Sequence, residues 1–167
     1  RWLRVIQPQV GVLTNIVREH VEFFGTLAGV AQEEGWLTEL LPTNGQLVVN
    51  GDSEWISQVI RRAKAGVVRV GAGCANDWRA MNVRTDDAGV TFRAASTRPQ
   101  CDGEYRVNLW CAQQAVNALL AAAIGAELGV DPEQVRAGLA RCQPAKMRLQ
   151  IWEANGVRVL DDSYNAN

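Results

Sequence analysis

The chain of 167 residues holds one histidine, His20. It follows the apolar, β-branched run QVGVLTNI (9–16) by a few residues. If that run is a parallel strand, His20 falls near its carboxyl end, where ligands of open α/β sheets gather. A neutral imidazole there suits a metal ligand, and it equally suits a solvated loop. Glu34 raises a sharper question. On a helix through FGTLAGVAQEEGWLTELLP (24–42), Leu27, Val30, Ala31, Leu37 and Leu41 share one side at about 100° per residue. Glu34 falls in the middle of that side, Glu33 near its edge and Trp36 opposite. A buried carboxylate is costly unless it is paired, hydrogen-bonded or bound to a metal. Glu34 therefore either reaches the rim to meet an arginine or faces a cation or a cluster of donors. Gln113 and Asn117 lie one turn apart on a later helix, as amides that read a base edge or satisfy backbone groups. The terminal DDSYNAN (161–167) packs hydrogen-bonding side chains behind a strand, as a turn or as part of a ligand site.

The elements that must carry these residues follow a regular order. Behind the first strand and the 24–42 helix, with Thr26 as its N-cap and Pro42 and Asn44-Gly45 at its end, QLVVN (46–50) reads as a second strand. Asp52 or Ser53 is placed to cap a helix through EWISQVIRRAK, whose apolar face is Trp55, Ile56, Val59, Ile60 and Ala63. GVVRVG (66–71) makes a third strand. Strand–helix alternation of this kind predicts a parallel α/β sheet with flanking helices. From Asp77 the pattern changes to alternation around a turn at Asp87-Ala88-Gly89, and EYRVNLW (104–110) alternates too. That predicts a small antiparallel section joined by the loop STRPQCDG. Helices are expected over 112–128 and 132–141, the second with Asp131 as cap and Pro132 at its first position. Beyond Pro144 a hairpin turns at Asn155-Gly156, so a boundary is expected between 1–145 and 146–167.

Composition narrows the classes. Hydrophobic residues at 47% and charged residues at 21% suit a globular chain with a proper core. A net charge of −1 gives no global basic field for nucleic acid or a membrane surface. No apolar run reaches the roughly 20 residues that span a bilayer. Cys74, Cys101, Cys111 and Cys142 show no CxxC spacing and read as reduced thiols of a cytoplasmic protein, mostly packing residues. The opening RWLRVIQPQVG has no signal-peptide pattern. Both ends read as cut, so a piece of a larger protein is expected. The GxxxxGK[ST], GxSxG and HExxH motifs do not occur in it.

PQVGVLTNIVREHVEFFGTLAGVAQEEG, VVNGDSEW, NALLAAA and VLDDSYNAN together resemble the Mur ligases, in particular the MurF type, which adds D-Ala-D-Ala to UDP-MurNAc-tripeptide. The resemblance runs through the whole chain in order. It implies the later part of a central ATPase domain, followed by the opening of a Rossmann-like C-terminal domain. The family's phosphate loop and its magnesium-binding glutamate would lie before Arg1, so the piece alone is expected to be inactive. It implies ATP and Mg2+ as cofactors, an acyl phosphate on the peptide carboxylate, and attack by the incoming amine. A monomeric whole enzyme is expected, with no nucleic-acid partner and no membrane insertion. By the same correspondence His20 is a metal ligand, Asn117 contacts adenine and Asp162 contacts the nucleotide. Tyr164, Asn165 and Asn167 complete that motif. Three departures stand out. Glu34 replaces a lysine that the family carbamylates, and would supply that anion directly. Cys111-Ala112-Gln113-Gln114 replaces GxHN, so Gln113 stands for a histidine near the nucleotide. Lys146 replaces the arginine of a PGR turn, keeping charge but losing the fork. These changes leave two alternatives: a diverged nucleotide-binding or scaffold homologue without catalysis, and another Mur or folylpolyglutamate-type ligase.

Overall fold

The computed structural model describes residues 2–18 and 21–164. In chain order the elements are α1 (Trp2–Ile6), β1 (Val10–Leu13), α2 (Val21–Phe24), α3 (Leu27–Glu34), α4 (Trp36–Leu40), β2 (Gln46–Asn50), α5 (Ile56–Val59), β3 (Gly66–Gly71), β4 (Trp78–Asp86), β5 (Gly89–Ser96), β6 (Gly103–Val107), α6 (Gln114–Glu127), α7 (Pro132–Ala140), β7 (Gln150–Ala154) and β8 (Val157–Asp161). A six-stranded sheet runs β1-β2-β3-β4-β5-β6, parallel from β1 to β4 and antiparallel from β4 to β6. β7 and β8 form a separate two-stranded antiparallel sheet. The expected α/β class and antiparallel section are both present.

Two apolar clusters flank the large sheet. α6 lies against one face from β2 to β6, and its alanines (Ala115, Ala118, Ala122, Ala123) let the helix sit close to Val48, Val70, Trp78 and Phe92. Trp78, Phe92 and Tyr105 are the largest side chains fully buried there, each worth about 1.5–3 kcal/mol over an exposed position. The Phe92 and Tyr105 rings stack at 5.6 Å, and the Tyr105 hydroxyl donates to the Cys101 carbonyl at 2.8 Å. The opposite cluster joins Val30, Ala31, Leu41, Ile56 and Val59 to Leu13, Leu47 and Val49. These helices therefore cover β1 and β2 and reach the edge of β3, but no further.

The expected single helix over 24–42 is three short ones. Thr26 does cap α3, accepting from the Gly29 N–H at 3.1 Å. α3 ends at Gly35, and α4 continues the buried side on a new axis through Leu37, fully buried Thr38 and Leu41. Thr38 Oγ1 donates to the Gly35 carbonyl at 2.7 Å and fixes that corner. Glu34 is the last residue of α3, has no further turn to bury it, and is exposed. Of the two positions open to Glu34, the exposed one is observed: the helix break removes the stripe on which a buried carboxylate would sit. The helix after Asp52 is also shorter than expected. It covers Ile56–Val59 with a 3-10 turn Ile60–Arg62, and neither Asp52 nor Ser53 caps it. The later helices agree closely with expectation. The Asp131 carboxylate accepts from the N–H groups of Glu133 and Gln134, with Pro132 at the first position. Asn155 and Gly156 have φ of 52° and 74°, the pair of left-handed residues that a tight hairpin needs.

All four cysteines are free, and Cys101 is buried. Burial pushes the Cys101 thiol above its ordinary 9.0, partly opposed by Arg98 and Arg136. Burial likewise raises the Tyr105 phenol above 10.0. A raised folded pKa favours the native state fully below the unfolded value and loses that advantage as pH rises through the folded value. Urea unfolding should therefore show stability falling from pH 9 upward. A Cys101→Ala, Tyr105→Phe double variant should have a lower plateau and a shallower alkaline loss. An alkaline slope as steep as the parent's would contradict this source.

Candidate functional site

The carboxyl ends of β1, β2 and β3 converge on one edge, and the loops leaving them interlock. After β1, the Ile16 N–H meets Asn15 Oδ1 at 3.1 Å and Ser53 Oγ at 3.4 Å. After β2, Asn50 Oδ1 accepts from the Asp52 N–H at 3.1 Å, and the Gly51 N–H donates to the Val70 carbonyl at 2.9 Å. The Asp52 carboxylate then crosses to the loop after β3. It accepts from the Ala72 N–H at 2.5 Å, the Gly73 N–H at 3.1 Å and Asn76 Nδ2 at 2.7 Å. The approach demands glycines. A Cβ on Gly71 would lie 2.4 Å from Asp52 Oδ2, and one on Gly51 would lie 1.9 Å from Asn76 Oδ1. Asp52 was expected as a helix cap, and its role as the clamp between two loops was missed. The signal was available in NGD directly behind one strand and GAG at the end of the next.

The sequence-derived site residues fall into separate groups. His20, Asn165 and Asn167 lie outside the described residues. Asn117 is exposed one turn into α6, and its Nδ2 donates to Gln114 Oε1 at 3.2 Å. Gln113 is the N-cap position of that helix, without a side-chain cap bond. Cys111 just before it has φ of 101°, a conformation that glycine takes freely and cysteine does not. A second group forms where 144–149 meets 161–164. The Tyr164 N–H donates to the Met147 carbonyl at 3.0 Å, Asp162 Oδ1 accepts from the Leu149 N–H at 3.2 Å, and the Arg148 guanidinium lies 4.1 Å from the Tyr164 ring centre. Lys146, exposed, adjoins this junction. Glu34 belongs to neither group. Its neighbours Gln32 and Gly35 meet Arg62, a few residues before β3 begins, while Arg62 Nε pairs with Glu39. Among the described residues no three His, Cys, Asp or Glu side chains cluster to hold a metal ion. Asp52 spends its oxygens on the loop.

A parallel sheet whose carboxyl edge carries tied polar loops, flanked by helices and extended by an antiparallel wing, defines an α/β domain with its ligand edge at those loops. The family described as Mur ligase middle domain matches residues 1–125. The chain belongs to the Mur ligase family. It is 32% identical over 164 residues to the UDP-N-acetylmuramoyl-tripeptide–D-alanyl-D-alanine ligase of Escherichia coli K12, covering 96% of this chain and 36% of that protein. The crystal structure of MurF from Acinetobacter baumannii superposes with a TM-score of 0.89 at 25% identity, covering 98% of this chain and 36% of that one. Folylpolyglutamate synthase of Mycobacterium tuberculosis, complexed with ADP and AMPPCP, superposes with a TM-score of 0.74 at 26% identity, covering 95% of this chain and 36% of that one. The chain thus spans about a third of the length of the curated relatives it matches.

Two stability measurements test this edge. Asp52→Ala and Gly71→Ala should each cost about 1–2 kcal/mol and should speed amide hydrogen exchange at Ala72 and Gly73. Parent-like exchange at both amides would contradict the clamp. Cys111→Gly should raise stability by about 1 kcal/mol in a thermal or urea melt, and a loss would contradict strain at that residue.

Proposed function

We propose that this chain is the later part of the ATP-binding domain of an amide-bond ligase of peptidoglycan precursor synthesis. In this reading the whole enzyme joins D-Ala-D-Ala to UDP-MurNAc-tripeptide. The observation that carries the reading is the ordered match of nearly the whole chain to D-alanyl-D-alanine ligases of this family, at 32% identity. Residues 1–145 would complete the nucleotide domain, and 146–167 would open the next one. The separate β7–β8 sheet supports that division.

Within this proposal each residue has a task. His20 would add an imidazole nitrogen to a magnesium ion that takes most of its ligands from water and phosphate oxygens, whose charge it would neutralise. The exposed amide of Asn117, on the first turns of α6, is free to turn toward an adenine edge. Asp162 and Lys146, brought near each other by the 147–164 contacts, offer an acceptor for a ribose hydroxyl and a cation for phosphate. Glu34 rests only on its correspondence to the family's carbamylated lysine, since its exposure removes the burial argument. The Asp52 clamp positions the loops around the reacting phosphate without touching it. ADP in the folylpolyglutamate synthase complex supports ATP as the nucleotide.

The test is phosphate release by the complete enzyme with UDP-MurNAc-tripeptide, D-Ala-D-Ala and Mg·ATP. Release dependent on all three substrates is expected, and none above background would refute the ligase reading. In the same assay Lys146→Ala should raise the KM for ATP by about tenfold, whereas Lys146→Arg should match or improve on the parent. Glu34→Ala should raise the magnesium requirement. An unchanged magnesium dependence would remove Glu34 from the metal site.

A further inference from the structure

Because α3, α4 and α5 stop at β3, the outer face of the antiparallel wing β4–β6 carries no helix among the described residues. Cross-strand register puts Arg84, Thr91 and Arg106 in one row of that face, and Met81, Arg93 and Glu104 in the next. Arg106 is committed to Asp86 at 3.5 Å. Arg84 and Arg93 are exposed and, among the described residues, form no ion pair and no side-chain hydrogen bond. Between the rows β4 bulges at Asn82 and Val83, with Asn82 at φ 52°. The bulge bends the strand and opens a cavity of about 220 Å³ lined by Asn82, Arg84, Thr91, Phe92, Arg93 and Glu104.

Two unpaired guanidinium groups on one small cavity repel each other, a cost that an anion between them would remove. Glu104 stands opposite Arg93 in register but does not pair with it. Arginine rather than lysine supplies both charges, on strands that fix their spacing. This is the arrangement that suits oxyanion recognition through planar forks. One fork satisfies a carboxylate. Two forks, with the Asn82 amide and the Thr91 hydroxyl on the same rim, can meet a tetrahedral oxyanion from several sides.

We propose that the cavity at the β4 bulge binds a phosphate-bearing ligand through Arg84 and Arg93. It shares no residue with the proposed nucleotide site, and it does not depend on the ligase reading. The same phosphate chemistry is offered by a soluble diphosphate and by an anionic lipid headgroup.

The test is a titration of the chain with inorganic pyrophosphate at constant ionic strength, followed by NMR of backbone amides and arginine Nε–H groups. Saturable shifts are expected at Asn82, Arg84, Thr91 and Arg93. Arg84→Gln and Arg93→Gln should each weaken binding by about tenfold. Glu104→Gln should tighten it by about threefold, because a competing carboxylate is gone. That gain cannot arise from a misfolded variant. A second arm sediments the chain with phosphatidylcholine vesicles with or without phosphatidic acid, again comparing Arg93→Gln. Arginine-dependent binding of pyrophosphate assigns a soluble ligand, and arginine-dependent binding of the anionic vesicles alone assigns a headgroup. Binding of neither, or binding that both arginine variants retain in full, overturns the proposal.

Discussion

The fold turns on one packing constraint: a six-stranded sheet has helices from β2 to β6 on one face but only from β1 to the edge of β3 on the other. Strands sandwiched on both sides must be apolar along their length. β2 obeys, with Leu47, Val48 and Val49 all fully buried. Strands covered on one side can alternate, and β5 does, with Val90, Phe92 and Ala94 turned to α6 and Arg93 turned to solvent. The change from parallel to antiparallel pairing at β4 follows the same line. Helices carry the chain from β1 to β2 and from β2 to β3, a short loop takes it from β3 into β4 with parallel pairing only at Val70–Trp78 and Gly71–Arg79, and the tight turn at Asp87-Ala88-Gly89 returns it antiparallel.

That constraint also locates the ligand edge. The connections that follow β1, β2 and β3 leave three loops at the carboxyl ends of these strands, and water would compete for their backbone groups. The chain resolves this with side chains that act as backbone partners. Ser53 and Asn15 serve the first loop, Asn50 the second, and Asp52 with Asn76 the third. A carboxylate that accepts two backbone N–H groups is a rigid post, and the glycines at 51 and 71 let it stand close to the sheet. In the proposed reading this edge serves nucleotide chemistry, so stiffness here counts as preorganisation. Cys111 keeps a glycine-like backbone without being glycine, which places the cost of divergence in the loop before α6.

Much of the architecture was legible in the sequence because it rests on periodicity and local chemistry. Valine-rich runs marked β2 and β3, Asp131-Pro132 marked the start of α7, and Asn155-Gly156 marked the last turn. Thr26 was a correct cap for the same reason, since a cap bond spans only three residues. Two kinds of feature were not legible. Helical phase was extrapolated through Gly35, but the break there depends on the fit of α4 to β1, where Gly11 leaves room for Leu37 and Leu41. Glu34 consequently moved from an expected buried stripe to the surface. The Asp52 clamp joins residues about twenty positions apart, and a single sequence does not say which loop a carboxylate will reach. Helical spacing singled out Gln113 and Asn117 and polar density singled out DDSYNAN, whereas Lys146 came from motif order; the structure ties Asp162 and Tyr164 to Leu149 and Met147.

In the proposed function the loops at the carboxyl ends of β1, β2 and β3 surround the metal and phosphates of a nucleotide bound to the complete enzyme. Manganese in place of magnesium, bound with ADP, tests it directly through paramagnetic broadening of amide resonances in this region. Broadening should be strongest at Asn15, His20, Gly51 and Ala72–Asn76, and absent at α7 and the Asn155-Gly156 turn. Broadening centred on α7 or on the outer face of β4–β6, with the three loops untouched, would contradict the account.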